Sequence, residues 1–311
     1  MTAPRIRIPA ALAASHRSFF GASGAAWIAG LPALAAACTA RWQLRPDGEP
    51  THGAIALVLP VTRADGTPAV LKLQPVDEET RHEPLALRTW AGHGAVRLLE
   101  TDPGTGAMLL ERLDAGRSPA GVEDEVTAVQ ILSEVLARLV ALPAPEGVRR
   151  LGDVAAAMLD AVPGAMTRLV DPADRRTVAT CAAALRDLLE EPGDRLLHWD
   201  LHYDNVLAPL EADGRDPWLA IDPKPLAGDP GFELLPALQN RWDDVEASGD
   251  VARSVRRRFD LMTEVLALDR RRAAGWTLAR VLQNTLWAVE DGAARTPPVQ
   301  TAIARALLAR T

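Results

Sequence analysis

The stretch that decides the fold is His198-Trp199-Asp200-Leu201-His202-Tyr203-Asp204-Asn205. It has the form H-x-D-x-x-x-x-N, so one carboxylate and one amide stand five residues apart in a single loop. Seventeen residues after Asn205, the apolar run Trp218-Leu219-Ala220-Ile221 ends in a second carboxylate, Asp222. Oxygen-bearing side chains at this spacing, beside short apolar strands, are typical of a phosphoryl-transfer loop.

The chemistry of phosphoryl transfer explains these residue types. An acceptor hydroxyl must lose its proton in line with the γ-phosphate of ATP, so Asp200 is the candidate catalytic base. Magnesium prefers hard oxygen ligands, and Asn205 and Asp222 supply an amide oxygen and a carboxylate. We interpret His198 as a residue that orients the loop by hydrogen bonding. A chance polar turn explains each residue singly but not their joint spacing.

The N-terminal third predicts the nucleotide-holding residues. Asp65-Gly66 between two apolar runs predicts a β-hairpin, because this turn needs positive φ. Lys72, a lone charge in the second strand, is the candidate to hold the ATP phosphates. We expect its carboxylate partner on a helix over 77–90, where Glu83 is preferred slightly over Glu79 on the same face. Alternatively, Glu83 closes a capping box with Thr80.

Two further backbone segments are candidates for nucleotide contact. The segment 51–56 contains one glycine, Gly53, and its position between strands predicts a loop that covers the phosphates. The strand over 108–113 leads into the second half of the chain and predicts the hinge. Adenine is expected to bond to backbone groups near Glu111 and Leu113.

Beyond Asp114 the pattern becomes helical. Apolar residues recur at three- and four-residue spacing from Val126 to Leu139, and further helices are predicted near 173–190, 232–247, 250–268, 270–290 and 297–310. The predicted fold class is therefore α+β, a bilobal protein-kinase-like fold. Residues 1–113 form a small sheet-rich nucleotide-binding lobe, and residues 114–311 form a larger helical lobe with the catalytic loop and the acceptor site.

Composition excludes several other classes of protein. A formal net charge of −7 argues against a nucleic-acid binder, which normally carries a basic stripe. Cys38 and Cys181 are too few and too distant for a disulfide framework. The apolar run 25–38 imitates a secretion signal but starts late, contains Pro32, and is too short to span a bilayer. We therefore expect a cytoplasmic monomer without membrane partners.

Longer stretches carry a family resemblance. The catalytic loop, residues 218–223 and Gly228-Asp229-Pro230-Gly231-Phe232 resemble the aminoglycoside and hydroxyurea phosphotransferases. The segment 27–32 resembles the N-terminal segment of the same family. The segments 63–67, 71–74 and 275–280 are similar to the streptomycin 6-phosphotransferases within it. The resemblance spans nearly the whole chain. It implies ATP- and Mg²⁺-dependent phosphorylation of a drug hydroxyl, with Asp200 as base and Asn205 and Asp222 as metal ligands. The role of Lys224, near the metal ligands, stays open.

The acceptor is the least determined feature. Streptomycin carries two guanidinium groups, so its pocket is expected to offer carboxylates and aromatic faces. The acidic and aromatic candidates in the helical lobe are Asp229, Glu233, Trp242, Asp243, Asp244, Trp276, Trp287, Glu290 and Asp291. Two alternatives remain: a kinase of the same fold that acts on hydroxyurea or another small hydroxylated metabolite, and a nucleotide-binding pseudokinase.

Overall fold

Two units make up the chain, of which the computed structural model describes residues 6–211 and 214–308. Unit 1 extends to Asp114 and also includes Pro209–Arg215; unit 2 contains Ala115–Ala208 and the chain from Asp216 onward. Seven residues from the second half of the sequence, Pro209–Arg215, therefore belong to the first unit.

Unit 1 is built on an antiparallel sheet. Its elements are α1 (Ala10–Arg41), β1 (Arg45–Pro46), β2 (Thr51–His52), β3 (Leu57–Thr62), β4 (Pro68–Leu73), α2 (Glu83–Trp90), β5 (Leu98–Asp102), β6 (Ala107–Glu111) and β7 (Leu113–Asp114). The sheet order is β1-β3-β4-β6-β5, with β2 paired to β3. The predicted hairpin is β3–β4, in which Val58 faces Lys72, and Gly66 has φ +86° in the turn. Alternating burial along β3 directs one face into the core.

Helix α1 differs from the sequence expectation for residues 25–38. It has 32 residues and is long and apolar enough, by length and composition, to cross a membrane. Gly21 breaks its regular geometry with φ +56°, and Pro32 lies inside it. Leu12, Leu31 and Ala35 are buried in the same apolar core as strands β3 and β4, so part of the helix surface packs as a core helix.

Unit 2 is mostly helical. Its elements are α3 (Glu125–Leu139), β8 (Arg149–Arg150), α4 (Leu151–Arg168), α5 (Pro172–Leu188), β9 (Arg195–Leu197), β10 (Val206–Pro209), β11 (Leu219–Ala220), β12 (Leu226–Gly228), α6 (Leu234–Gln239), α7 (Trp242–Ala247), α8 (Val251–Val265), α9 (Arg270–Glu290) and α10 (Pro298–Leu308). Helix α9 is buried along most of its length and packs against α4 and α5. Strand β12 pairs with β8 and β9, and β10 pairs with β11.

The helices of unit 2 agree with the periodicity except in two places. Helix α4 was not predicted, because Gly152, Pro163 and Gly164 interrupt its sequence, although the structure continues the helix through them. The segment predicted as one helix near 232–247 is divided into α6 and α7, and Arg241 between them adopts a left-handed conformation with φ +48°.

Candidate active site

The lysine of β4 forms a buried ion pair in unit 1. Lys72 Nζ donates to Glu83 Oε1 at 2.7 Å and to Oε2 at 2.8 Å, and the side chains are only 6% and 1% exposed. The Gln74 amide donates to the same carboxylate at 2.6 Å. Of the two candidate partners, Glu83 therefore pairs with Lys72. It is the first residue of α2, which has His82 as N-cap and no side-chain cap, so the alternative of a capping box with Thr80 is not observed.

The other nucleotide candidates also lie on unit 1. Gly53 is exposed in the tight turn 53–56 between β2 and β3, where its N–H donates to the Ala56 carbonyl at 3.0 Å. Glu111 ends β6, and its N–H donates to the Arg97 carbonyl. Its carboxylate forms a two-point pair with Arg215 at 3.0 and 2.7 Å. Leu113 is buried.

The catalytic loop of unit 2 is organised around a buried histidine. His198 Nε2 lies 2.9 Å from the Ile221 carbonyl, and the Asp200 N–H donates to His198 Nδ1 at 3.3 Å. Burial lowers the pKa of His198 to about 4, so the ring is neutral at physiological pH. The neutral His198 ring links the backbone of Asp200 to that of Ile221, the residue before Asp222. This is the orienting arrangement that we expect of His198.

The candidate base and its neighbours are held by backbone bonds. The Asn205 amide donates to the Asp200 carbonyl at 2.8 Å, which leaves its amide oxygen for another partner. The Ile221 N–H donates to the Asn205 carbonyl at 2.9 Å. Asp222 has φ +57°. These bonds join the segments that contain Asp200, Asn205 and Asp222 within unit 2.

Glu233 and Arg280 hydrogen-bond to the backbone of Trp199, the residue before Asp200. Trp199 has φ +67°; its N–H donates to Glu233 Oε1 at 2.6 Å, and Arg280 donates to its carbonyl at 3.1 Å. Glu233 is 1% exposed, and burial raises its pKa to about 7. The Arg280 guanidinium also lies 5.2 Å from the Trp199 ring. Sequence reasoning missed this role, because it took Glu233 for an acceptor-pocket residue.

Lys224 contacts the candidate base directly. Its Nζ lies 3.0 Å from Asp200 Oδ2, with the two side chains 38% and 28% exposed. The Lys224 N–H donates to the His198 carbonyl at 3.0 Å, so the backbone of Lys224 is fixed to the catalytic loop. The Lys224 side chain therefore lies against Asp200.

Asp200 opens onto a recess of about 490 Å³ in unit 2. The recess is lined by Gln239 and Asn240 at the end of α6 and by Gln300 in α10. None of the acidic and aromatic acceptor candidates lines it. Asp229 instead caps the turn that begins at Pro230, and Trp276 is a buried core residue. A larger recess of about 1,180 Å³, between α5 and α9, contains none of the predicted site residues.

Comparison with known proteins gives the family. Residues 41–292 match the sequence model of the aminoglycoside/hydroxyurea antibiotic resistance kinases. The chain belongs to this kinase family. It is 58% identical to a streptomycin 6-kinase of Streptomyces glaucescens over 98% of both chains, and 55% identical to one of Streptomyces griseus over 97% of both. It is also 54% identical to a hydroxyurea phosphotransferase of Kitasatospora aureofaciens, over 98% of this chain and 87% of that one.

Solved structures confirm the predicted fold class. A macrolide 2′-phosphotransferase from Brachybacterium faecium superposes with a TM-score of 0.57 at 20% identity, over 90% of this kinase and 98% of that chain. Choline kinase LicA from Streptococcus pneumoniae superposes with a TM-score of 0.53 at 13% identity, over 90% and 100%. The kinase family implies ATP as the phosphate donor.

Proposed function

We propose that this kinase transfers the γ-phosphoryl group of ATP to a hydroxyl of streptomycin, most specifically the 6-hydroxyl, and thereby confers resistance. The observation that carries the proposal is the joint presence of Asp200, Asn205 and Asp222 in one hydrogen-bonded loop system. The identity of 55–58% with two streptomycin 6-kinases supports the acceptor.

Each residue then has a chemical role. Asp200 accepts the proton of the acceptor hydroxyl while the hydroxyl oxygen bonds to the γ-phosphorus and the bond to the β-phosphate oxygen breaks. The products are ADP and a phosphate ester. Lys72, positioned by Glu83, holds the α- and β-phosphates; the turn at Gly53 covers them; and the backbone near Glu111 and Leu113 receives adenine. Lys224 offsets the negative charge of Asp200 as the phosphate approaches.

The donor set fits a magnesium ion. Asn205 retains its amide oxygen, and Asp222 contributes a carboxylate, which are the hard oxygen ligands that Mg²⁺ takes. In the described residues no cluster of three or more His, Cys, Asp or Glu side chains forms a closed protein cage. Mg²⁺ bound to phosphates needs only one or two protein carboxylates, so this set is sufficient. When bound, the ion offsets charge on the phosphate oxygens.

The test is ADP release with ATP and Mg²⁺ against streptomycin, hydroxyurea and several sugars. We expect turnover with streptomycin, loss of turnover in Asp200→Ala, and a single phosphorylated product whose position is read by NMR. ADP release only with a sugar would reject the drug as acceptor. Retained turnover in Asp200→Ala would reject the assignment of the base.

Hydroxyurea is the second candidate acceptor. The 54% identity to a hydroxyurea phosphotransferase, nearly equal to that of the streptomycin 6-kinases, supports it. The ratio of kcat/KM for the two acceptors decides between them. If neither acceptor is turned over although ATP binds, the pseudokinase alternative is favoured.

We also propose a cytoplasmic, monomeric protein that binds neither membrane nor nucleic acid. The burial of Leu12, Leu31, Ala35 and Cys38 of α1 in the unit 1 core supports a folded helix in place of a membrane span, whereas the 17% burial of its most apolar window does not. Fractionation of cells tests the cytoplasmic location. Size-exclusion chromatography with light scattering tests the monomeric state.

A further inference from the structure

The recess beside Asp200 contains a cluster of three amides, which we call the amide cluster: Gln239, Asn240 and Gln300. The Gln300 amide nitrogen donates to Gln239 Oε1 at 2.9 Å, so the cluster joins α6 to the first turn of α10. Gln300 is 5% exposed. The cluster is therefore a built feature of the recess rather than a set of loose surface side chains.

Two atoms of the amide cluster lack a partner among the described residues. Gln300 Oε1 and Asn240 Nδ2 are both buried and make no hydrogen bond there. A buried polar group without a partner has lost its hydrogen bonds to water and is unfavourable in a folded protein. Native proteins rarely keep such groups unless a ligand or water completes them. One unpartnered acceptor and one unpartnered donor therefore stand beside the recess that contains Asp200.

The charged side chains of the recess already have partners. Arg241 pairs with Asp244 and donates to the Val122 carbonyl. His202 lies 3.6 Å from Asp204, and Asp200 pairs with Lys224. The available recognition groups are therefore neutral amides, in place of the carboxylates that the sequence predicts for a cationic acceptor.

We propose that the amide cluster recognises a planar guanidino or ureido group close to the hydroxyl that is phosphorylated. This inference rests on the proposed function and names the part of the acceptor that the site reads. Gln300 Oε1 accepts an N–H from the planar group, and Asn240 Nδ2 donates to an acceptor oxygen. Streptomycin offers guanidinium N–H groups and ring hydroxyls, and hydroxyurea offers N–H groups and a carbonyl. Binding turns the two amides toward the recess and completes their hydrogen bonds.

Gln300→Met tests the proposal, because Met keeps the side-chain length and removes the acceptor oxygen. We expect the KM for streptomycin to rise about tenfold, with the KM for ATP and kcat unchanged, and Asn240→Ala to act in the same direction. Gln130→Met is the matched control, since the Gln130 amide pairs with Glu134 on α3. An unchanged acceptor KM in folded Gln300→Met would overturn the proposal, as would an equal rise in the control.

Two additional measurements keep the test decisive. Gln300→Glu places a carboxylate against the planar group, so the ratio of streptomycin to hydroxyurea affinity should rise; a fall would contradict the proposal. Calorimetric binding of each acceptor to the wild type and to Gln300→Met does not depend on turnover. Binding that weakens in the variant supports the amide cluster even if the transfer reaction itself fails.

A separate observation in unit 1 carries a second inference. His16 of α1 is fully buried; its Nε2 lies 2.8 Å from the Ile55 carbonyl, and its ring stacks on Trp27 with centroids 4.5 Å apart and planes 3° apart. The break at Gly21 turns the first part of α1 back toward the second, and no Cβ fits at Gly24 beside His16.

Ile55 lies in the turn 53–56, which is the proposed phosphate-covering loop. We infer that His16 is a positioning residue that fixes this turn through its bond to the Ile55 carbonyl. Most of α1 lies outside the segment matched by the family model, which begins at residue 41. Helix α1 thereby contacts the turn 53–56, in which Gly53 is the one glycine, through the bond from His16 to the Ile55 carbonyl. This inference also rests on the proposed function.

His16→Phe keeps a ring to stack on Trp27 and removes the bond to Ile55. We expect the KM for ATP to rise about fivefold with the acceptor KM unchanged, and His16→Gln, which keeps a hydrogen-bonding nitrogen, to recover part of the loss. His93→Phe, at an exposed position of the same unit, is the matched control. An unchanged ATP KM in folded His16→Phe would reject the inference. Equal loss in the Gln and Phe variants would reject the hydrogen bond as its cause.

Discussion

The two units each contain a lysine–carboxylate pair, and the pairs differ in their exposure to water. Lys72 and Glu83 in unit 1 are 6% and 1% exposed, whereas Lys224 and Asp200 in unit 2 are 38% and 28% exposed. A buried pair is expensive to break, because the remaining charge loses its compensation. A partly exposed pair can exchange partners at little cost. The first pair is therefore suited to hold a fixed geometry, and the second to release a carboxylate for proton transfer.

Glu83→Ala breaks the buried pair and should give the largest effect. It removes the buried carboxylate that accepts hydrogen bonds from both Lys72 and Gln74, so we expect the free energy of unfolding to fall by about 3–5 kcal/mol. Urea denaturation measures it. The double variant Lys72→Met/Glu83→Leu should recover most of this loss while staying inactive. A single variant with wild-type stability would show that the pair does not hold unit 1 together.

Glu233 accepts the N–H of Trp199, the residue before Asp200. Glu233→Gln replaces this titratable carboxyl group with a neutral amide. Burial raises the pKa of Glu233 from 4.5 to about 7, so between these pH values the folded state keeps a proton that the unfolded state has lost. The contribution of protonated Glu233 to the free energy of unfolding is therefore complete below pH 4.5 and is lost as the pH rises through about 7. The loss is roughly 3 kcal/mol, at 1.36 kcal/mol for each pKa unit.

Denaturation of the wild type and Glu233→Gln at several pH values checks this sign. The wild-type advantage in the free energy of unfolding should shrink as the pH rises from 4.5 to 7. Glu264→Gln on the exposed surface of α8 is the control and should show no such trend. A constant difference across the window would mean that Glu233 is ionised in the folded protein at every pH tested.

Lys224→Met tests the exposed pair itself. Removing one positive charge beside Asp200 should lower kcat about ten- to a hundredfold, since the charge that offsets the approaching phosphate is lost. Stability should change by less than about 1 kcal/mol, because water screens this partly exposed pair. Lys224→Arg should restore part of kcat. A large loss of stability with normal turnover would reverse the contrast between the two pairs.

The sequence predicted what depends on local spacing. The Asp-Gly hairpin depends on a few neighbouring residues and is found where it is predicted, between β3 and β4. The short spacing of Asp200 and Asn205 likewise allows the bond from the Asn205 amide to the Asp200 carbonyl. The sequence could not reveal the bond between Glu233 and Trp199, which are 34 residues apart, or the bond between Gln300 and Gln239, which are 61 residues apart. Such contacts depend on tertiary packing. The amide cluster was also not predicted because a cationic acceptor is expected to bind carboxylates, and Gln and Asn side chains are neutral.

The pair between Arg215 and Glu111 lies between the two extremes, with both side chains 16% exposed. Arg215→Met should therefore cost about 1 kcal/mol or less in the free energy of unfolding, above a fully exposed pair and well below Glu83→Ala. The matched control is Arg63→Met, whose pair with Asp65 is 35% and 55% exposed. Urea denaturation of the three variants should rank them by burial of the broken pair. If Arg215→Met costs as much as Glu83→Ala, exposure is not what separates these pairs. The two-point geometry at 3.0 and 2.7 Å would then be the cause, and Arg215→Lys, which cannot form it, should lose nearly as much as Arg215→Met.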